Sequence, residues 1–265
     1  MNTNKFSRCS IKRAAFLKIT VHPLTISELN DFIAQVCTAN QRRCIIANHN
    51  LHSVYLTQRD KAMASFYALA DRIHVDGMGV VLLARLAGVP LEMWMRVTYV
   101  DWLPHLLARA AKEGWRAFYL GSKPGVAERG AENFRQMFPG LQLATHHGYF
   151  DTISGSGNIL SLIDKYQPNI LFVGMGMPRQ EQWIAENYHQ LSSNVILTAG
   201  AAMDYFAGAA AKPPRWMGRL GLEWACRLSA EPVRLWKRYL VEPWSLLYLL
   251  LHERGSVQID VVEPV

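Results

Sequence analysis

The stretch ILFVGMGMPRQE, residues 170–181, joins an apolar run, a glycine-rich turn and the start of a helical pattern. The run Ile170–Val173 is typical of a buried strand. Pro178 stands near the first turn of the helical pattern, where the missing N–H of a proline costs little. A buried strand that passes through glycines into a helix is the building unit of an α/β fold with parallel strands.

The same alternation extends over most of the chain. Six further apolar runs predict strands at Leu17–Val21, Cys44–Ala47, Arg72–Val75, Ala117–Leu120, Gln142–Thr145 and Val195–Thr198. Helical spacing separates these runs, as in Thr25–Thr38 and Asp101–Lys112. Because strands that alternate with helices pair side by side, the sequence predicts an α/β fold, with a mostly parallel sheet covered by helices on both faces.

The positive charge of the chain is concentrated at its two ends. The 265 residues carry a net charge of +7; residues 1–13 hold four basic and no acidic side chains, and residues 212–254 hold eight basic and four acidic ones. The long body between them is nearly neutral. We therefore predict an α/β core at 1–211, a basic appendage at 212–265 and no nucleic acid partner. Four scattered cysteines, with no CxxC pair, predict a reducing, cytoplasmic compartment.

The appendage is predicted to be helical and to lie on a membrane surface. Its prolines divide it into two or three short helices, and it contains Trp216, Trp224, Trp236 and Trp244. The apolar run Trp244–Leu251 is less than half of the ~20 residues that a spanning helix needs. The segment is therefore expected to associate with a membrane without crossing it.

Two strand ends carry candidate site residues. Asp76 stands where a strand gives way to a helix, so it is either a general base or a plain helix N-cap. The turn LGSKPG, residues 120–125, exposes backbone N–H groups that suit a nucleotide diphosphate, although an ordinary turn would use the same residues. The motifs alone do not decide between these alternatives.

The polar residues after Gly176 make a third candidate. Gln180 and Glu181 lie at the start of a helix, where Glu181 is expected to favour the helix dipole. The two glycines of this stretch match a dinucleotide fingerprint, but its third glycine would fall on Arg179. That mismatch counts against a nicotinamide site.

No metal ion and no cofactor is predicted. The adjacent His146 and His147 would point to opposite faces of a strand, so one metal could not easily bind both. The chain also has no Asp-x-Asp pair of the kind that holds a nucleotide-bound divalent ion.

Arginines in the appendage are the remaining candidates. Arg227, Arg234 and Arg238 would share one helical face if the helix continued through Pro232, which proline makes doubtful. Such a face could clamp phosphate groups, or it could be a solvated basic surface.

Eight motifs, in sequence order, carry a family resemblance. They are Asn48, VDGMGVV (75–81), RVT (96–98), LGSKPG (120–125), HHGYF (146–150), GMGMPRQE (174–181), MDYFAG (203–208) and GLEW–CR–EP–R (221–234). Together they resemble the WecG/TagA/CpsF family of bacterial glycosyltransferases, glycosyltransferase family 26, over roughly residues 43–240. Each motif alone is weak, but the ordered set is specific.

The resemblance implies an activity and a setting. A Rossmann-like core would transfer a sugar, with inversion and without a metal, from a UDP-sugar to a polyprenyl-diphosphate-linked saccharide. The reaction would serve bacterial exopolysaccharide or cell-surface polysaccharide synthesis on the cytoplasmic face of the membrane. The C-terminal appendage would bind that anionic membrane, and the protein would be a homo-oligomer.

The resemblance also assigns roles to residues. Asp76 would be the general base, and Arg96 would be a pocket arginine near the donor or acceptor and the second catalytic residue. The substrate-binding residues implied are Asn48, Gly121, Gly176, Gln180, Asp204, Arg227, Arg234 and Lys237. The last three lie in the appendage and would close over the diphosphate, with Lys237 standing where another arginine is common.

Several positions depart from the family pattern. Ile46 replaces a frequent Thr, Tyr99 follows RVT where Gly is usual, and residues 199–202 replace a glycine-rich GVGG. His49-Asn50 replaces a frequent Pro-Glu, and Lys212-Pro213-Pro214 replaces the common Arg-Ala-Pro. These changes leave the donor open between an N-acetylmannosamine type and a glucose donor of xanthan-like pathways. The altered pocket favours a hexose without an acetamido group, such as glucose.

Two other functions compete with this one. A nicotinamide-dependent oxidoreductase would use the same fold but lacks the third glycine and a ribose-binding acid after Val195–Thr198. A non-enzymatic, peripheral membrane-binding protein would use only the basic ends.

Overall fold

A computed structural model describes residues 10–212, 214, 217, 221–252 and 257–262. Its strands are β1 Ser10–Phe16, β2 Ile19–Val21, β3 Cys44–His49, β4 Arg72–Val75, β5 Arg116–Gly121, β6 Gln142–His146, β7 Ile170–Gly174, β8 Val195–Thr198 and β9 Gln258–Val262. Its helices are α1 Ile26–Thr38, α2 Leu51–Thr57, α3 Lys61–Leu69, α4 Met78–Leu86, α5 Tyr99–Glu113, α6 Val126–Met137, α7 Ser156–Tyr166, α8 Arg179–Asn187, α9 Ala202–Phe206, α10 Glu223–Ala230, α11 Pro232–Leu240 and α12 Glu242–His252. Short 3-10 turns lie at Met93–Met95 and Tyr188–Gln190.

The main sheet has six parallel strands in the order β4-β3-β8-β7-β5-β6. This confirms the predicted α/β fold. Alternate residues of each strand face opposite helix layers: Phe172 packs with α1, α5, α6 and α9, whereas Leu171 packs with α3, α7 and α8. Because both faces are covered, the strands are continuous apolar runs, which is why the sequence revealed them.

A second, antiparallel sheet has the order β2-β1-β9. The predicted strand Leu17–Val21 was wrong in its extent, because Leu17 and Lys18 form the turn between β1 and β2 with φ of 46° and 56°. Leu17 is buried although it lies in the turn. Its apolar side chain therefore looked like part of a strand in the sequence. Strand β9 lies within 212–265, the predicted helical appendage, in which no strand was predicted.

The C-terminal helices pack against the core through α12. Leu246 is fully buried in a cluster with residues of α2 and α4, including Val54 and Val80. Among the described residues, no helix combines the length and the apolar character needed to span a bilayer. The division of the chain at 211/212 stays a prediction. Some basic and aromatic residues assigned to the two ends fall outside the described residues: Lys5, Arg8, Arg215, Trp216, Arg219 and Arg254.

The helix through Pro232 is interrupted. Helix α10 ends at Ala230, Glu231 has φ −137° and ψ 62°, and Pro232 begins α11. Because the helix does not continue through Pro232, Arg227, Arg234 and Arg238 do not share one helical face.

Candidate active site

The carboxyl ends of β3, β4 and β8 meet at one edge of the sheet and carry a hydrogen-bonded triplet. The Thr198 hydroxyl donates to Asn48 Oδ1 over 2.9 Å, and Asn48 Nδ2 donates to Asp76 Oδ2 over 3.1 Å. The Tyr67 hydroxyl donates to the Asn48 carbonyl over 3.0 Å. The side chain of Asn48 therefore holds the carboxylate of Asp76 in a fixed position.

Asp76 does not cap the helix that follows it. Helix α4 starts at Met78 with Gly77 in the cap position, and the Asp76 N–H donates to the His49 carbonyl over 2.8 Å. Its carboxylate is directed to Asn48 instead. The plain N-cap interpretation therefore fails, and the partly buried carboxylate is available for proton transfer.

Charged side chains from two directions set the electrostatics around Asp76. Burial raises the pKa of Asp76, and Glu223 acts in the same direction. Arg227 opposes this rise most, followed by Arg96 and Arg238. A carboxylate with a raised pKa beside several guanidinium groups suits a base that works next to a negatively charged substrate.

Arg96 is placed next to Asp76 by pairing of its backbone with the end of β4, where it forms a parallel bridge with Val75. Its Nη1 donates to Glu223 Oε2 over 3.0 Å. Glu223 is the first residue of α10, so this ion pair joins the core to the C-terminal helices. Glu223 was part of the GLEW motif but was not predicted as a site residue.

The chain enters α10 directly over the start of α4. Gly221 has φ 71°, and a Cβ on it would lie 2.8 Å from Met78 Cβ. Met78 is two residues beyond Asp76. Only glycine fits this approach without a shift, so the C-terminal helices come close to the pocket through Gly221.

Arg227 and Arg238 bring positive charge from the C-terminal helices. The Arg227 guanidinium lies over the Tyr205 ring at 5.3 Å from its centroid. Burial tends to lower the pKa of Arg227, but Tyr205, Tyr239 and Asp76 outweigh that effect and raise it. Burial lowers the pKa of Arg238, against the opposing influence of Tyr239. Arg238 was singled out in the sequence as part of an arginine face, yet it was not among the predicted site residues.

Arg234 and Lys237 lie on the surface of α11 instead. Arg234 Nε is 2.6 Å from Glu231 Oε2, and the Arg234 side chain is 69% exposed. Lys237 is exposed and lies over the ring of Trp236. The structure does not bring these two cations to Asp76, and their diphosphate contact stays a prediction.

The two predicted glycines, Gly121 and Gly176, lie at the carboxyl ends of β5 and β7. A Cβ on Gly121 would lie 2.3 Å from the Gly174 carbonyl oxygen, so the close packing of β5 and β7 requires glycine there. Gly176 has φ 83°, a left-handed conformation that favours glycine. Both positions are therefore required by the backbone as well as implied for substrate binding.

Gln180 and Asp204 have different surroundings. Gln180 is fully buried, and its Oε1 accepts from the N–H groups of Gly176 (3.2 Å) and Gly200 (3.1 Å). Asp204 lies on α9, where its buried Oδ1 has no hydrogen-bond partner among the described residues. The structure thus makes Gln180 a support for two loops, whereas Asp204 has an atom left for a further contact.

Glu181 lies in the first turn of α8, where the helix dipole favours a carboxylate, and its side chain is fully buried. One other expectation was wrong. Strand β6 ends at His146, and the rings of His146 and His147 lie 4.4 Å apart, not on opposite faces. Within the described part of the chain, no three His, Cys, Asp or Glu side chains could hold one metal ion.

The fold is an α/β fold, and this edge of its parallel sheet brings one carboxylate together with several arginines. The family described as "Glycosyl transferase WecG/TagA/CpsF family" matches residues 14–258, and the chain belongs to this family of glycosyltransferases. It is 29% identical over 236 residues to an N-acetylglucosaminyldiphosphoundecaprenol N-acetyl-beta-D-mannosaminyltransferase of Bacillus spizizenii, covering 88% of this chain and 90% of the relative. It is also 29% identical over 213 residues to a protein of the same name from Staphylococcus aureus, covering 80% of each.

Proposed function

We propose that the protein transfers a sugar from a UDP-sugar to a polyprenyl-diphosphate-linked saccharide, with Asp76 as general base. The observation that carries this proposal is the Asp76 carboxylate, held by Asn48 at the edge of the sheet and faced by arginines from the core and from α10. The names of the relatives support the acceptor class, because they act on an undecaprenyl-diphosphate-linked N-acetylglucosamine.

The reaction is a single displacement at the anomeric carbon. Asp76 takes the proton of the acceptor hydroxyl as its oxygen bonds to that carbon, and the bond to the UDP oxygen breaks on the opposite side. General base catalysis of this kind contributes typically ~10²–10⁴-fold. The raised pKa of Asp76 makes it a better proton acceptor than an exposed carboxylate would be.

The departing UDP carries negative charge, and guanidinium groups offer bidentate contacts to it. Arg227 and Arg96 are the best-placed groups, because among the cations they lower the pKa of Asp76 most, followed by Arg238. Because these cations supply positive charge, we propose that the transfer requires no divalent ion. Activity in excess EDTA tests this part separately.

An exposed apolar strip on α11 and α12 supports a membrane-facing role for the appendage. Its members are Val233, Trp236, Leu240, Val241, Trp244, Tyr248 and Leu251. Arg234 and Lys237 lie on the same helix α11 and are exposed. Exposed aromatic side chains beside cations suit an anionic membrane surface, which would place the enzyme on the cytoplasmic face where UDP-sugars are available.

The donor sugar is the point on which the observations divide. The names of the relatives favour N-acetylmannosamine. The departures at Ile46 and Tyr99 favoured a hexose such as glucose, but Ile46 is fully buried in the core and does not line the pocket. Two other departures stay close to the site, because Asp76 contributes to the raised pKa of Tyr99 and the His49 carbonyl accepts from the Asp76 N–H over 2.8 Å.

The test is a transfer assay with purified protein. UDP-glucose, UDP-N-acetylmannosamine and UDP-N-acetylglucosamine are each offered with synthetic polyprenyl-diphosphate-linked N-acetylglucosamine or a linked disaccharide, and products are identified by mass spectrometry. We expect one donor to be transferred with inversion, in EDTA as well as in Mg²⁺. No transfer from any donor, with a thermal shift by NAD and none by UDP, would replace this proposal with an oxidoreductase. Vesicle binding without UDP binding would replace the proposal with a non-enzymatic, membrane-binding protein.

A further inference from the structure

Glu181 is a buried carboxyl group beside Gln180. It lies in the first turn of α8, is fully buried, and has no hydrogen-bond partner for Oε2 among the described residues. Its Oε1 accepts from Gln180 Nε2 over 2.8 Å. Burial raises the pKa of Glu181 to about 7, so the neutral form dominates below that pH. A glutamate at an exposed helix start would have none of these properties.

The orientation of the Gln180 amide is fixed by its other partners. Two backbone N–H groups, of Gly176 and Gly200, point at the same atom of the amide. Only an oxygen can accept from both, so Oε1 must face the glycines and the amide nitrogen must face Glu181. Glu181 is therefore the acceptor that this arrangement requires.

The two glycines are the turning points of adjacent loops. Gly176 follows β7 with φ 83°, and Gly200 follows β8 with φ 52°. Strands β7 and β8 are neighbours in the sheet, and β8 also carries Thr198 of the Asp76 triplet. Fixing these loops therefore fixes the edge on which the proposed donor and base meet.

We propose that Glu181 is a positioning residue for sugar transfer: its carboxyl oxygen orients the Gln180 amide, which ties the Gly176 and Gly200 loops together. This inference rests on the proposed function for its effect on activity, and on the hydrogen bonds alone for its effect on the loops. Glu181 does not touch substrate. A hydrogen-bonded chain of this kind holds a loop only if every member is present.

The experiment compares Glu181→Gln, which keeps an acceptor oxygen, with Glu181→Leu, which removes it. Glu186→Leu is the matched control, because Glu186 is an exposed glutamate on the same helix. For each protein, amide hydrogen exchange is measured on peptides containing Gly176 and Gly200, and kcat, KM and Tm are measured in the transfer assay.

We expect Glu181→Leu to exchange both glycine amides at least about tenfold faster and to lose about tenfold or more in kcat, the effect of one hydrogen bond on a loop. Glu181→Gln should stay within about threefold of wild type, since it keeps the acceptor. Glu186→Leu should match wild type.

The inference is overturned if folded Glu181→Leu keeps wild-type exchange at both glycines or wild-type kcat. It is also overturned if Glu181→Gln loses as much as Glu181→Leu. Where Glu181→Leu does not fold, Gln180→Met removes the same link. Unchanged exchange at Gly176 and Gly200 in that variant also overturns the inference. Absence of transfer by the wild type contradicts the proposed function and leaves the exchange result to decide the role of Glu181.

Discussion

The sheet edge and the C-terminal helices contribute to one pocket but are held by different forces. At the sheet edge, Asn48 and Thr198 are buried and hydrogen-bonded to one another. In the helices, α10 has no fully buried side chain among its described residues, and α11 has only Leu235. Half of the pocket is therefore part of the core, and the other half lies on a lightly packed surface layer.

Polar and apolar contacts join the two halves. Arg96 pairs with Glu223, and His52 Nδ1 is 2.8 Å from Glu242 Oε2. A partly exposed ion pair contributes about 0–1 kcal/mol, whereas burial of Leu246 contributes about 2–3 kcal/mol. Folding of the core therefore fixes Asp76, while docking of the helices brings Arg227. Mutations in the two regions should differ accordingly.

The largest effect is expected at the sheet edge. Asp76→Asn keeps the shape of the side chain but removes its basicity, so kcat should fall by ~10²–10⁴-fold. The Tm and the Kd for UDP, measured by calorimetry, should change little, because the oxygen of the introduced amide can still accept from Asn48 Nδ2. Normal turnover by this variant would remove Asp76 from the role of base.

The next effect separates two arginines of the helices. Arg227→Ala should lower kcat/KM by ~10²–10³-fold, as loss of a charge contact to the transition state does. Arg234→Ala is the matched control, and with a short-chain, water-soluble acceptor it should stay within about twofold, since an exposed pair contributes little. An equal loss in both variants would show that the exposed cations of α11 also reach the diphosphate.

A smaller effect concerns the pH dependence of core stability. Burial lowers the pKa of His74 from 6.5 to about 4, and its ring packs edge-on against Trp102. Because the folded-state pKa lies below the unfolded one, the stabilisation is present above pH 6.5 and is lost as the pH falls towards 4. Each histidine of this kind costs up to about 1.4 kcal/mol per pH unit in that window.

The check is chemical denaturation at pH 7.5, 6.5 and 5.5. The free energy of unfolding should fall with pH in the wild type and should fall less, by about 1 kcal/mol between pH 6.5 and 5.5, in His74→Phe. An identical slope in both proteins would show that His74 takes up its proton in the folded state.

The sequence predicted the sheet well because both of its faces are buried. Strands β3, β4, β5, β6, β7 and β8 appear as apolar runs, and the position of Asp76 follows from where such a run ends. Strand β9 was missed, because pairing between distant chain ends leaves no local periodicity, and the turn at Leu17 was missed because Leu17 is apolar and buried like a strand residue.

The arrangement of the C-terminal cations could not be predicted for a related reason. Arg234 and Arg238 lie four residues apart on α11 and look equivalent in the sequence, yet Arg234 is 69% exposed and pairs with Glu231, whereas Arg238 acts on the pKa of Asp76. The burial of Glu181 was also missed, because a glutamate in a first helical turn is usually solvated. Tertiary packing outweighed the local preference at both positions.

The smallest effect is expected at Tyr99, on the core side of the pocket. Its hydroxyl is buried without a partner among the described residues, and its ring packs against His74 and Trp102. Burial, with Asp76 as a second cause, raises the pKa of Tyr99 well above its ordinary value, so the hydroxyl keeps its proton. Tyr99→Phe retains the ring contacts and removes an unpaired polar atom, so the free energy of unfolding should be unchanged or rise by up to about 1 kcal/mol.

In the transfer assay the Tyr99→Phe variant should stay within about twofold of wild type. The sheet edge and the C-terminal helices already hold their polar groups through other contacts, so neither depends on this hydroxyl. A loss of tenfold or more in kcat/KM for only one of the donor sugars would contradict this expectation and would make the Tyr99 hydroxyl a sugar contact on the core side.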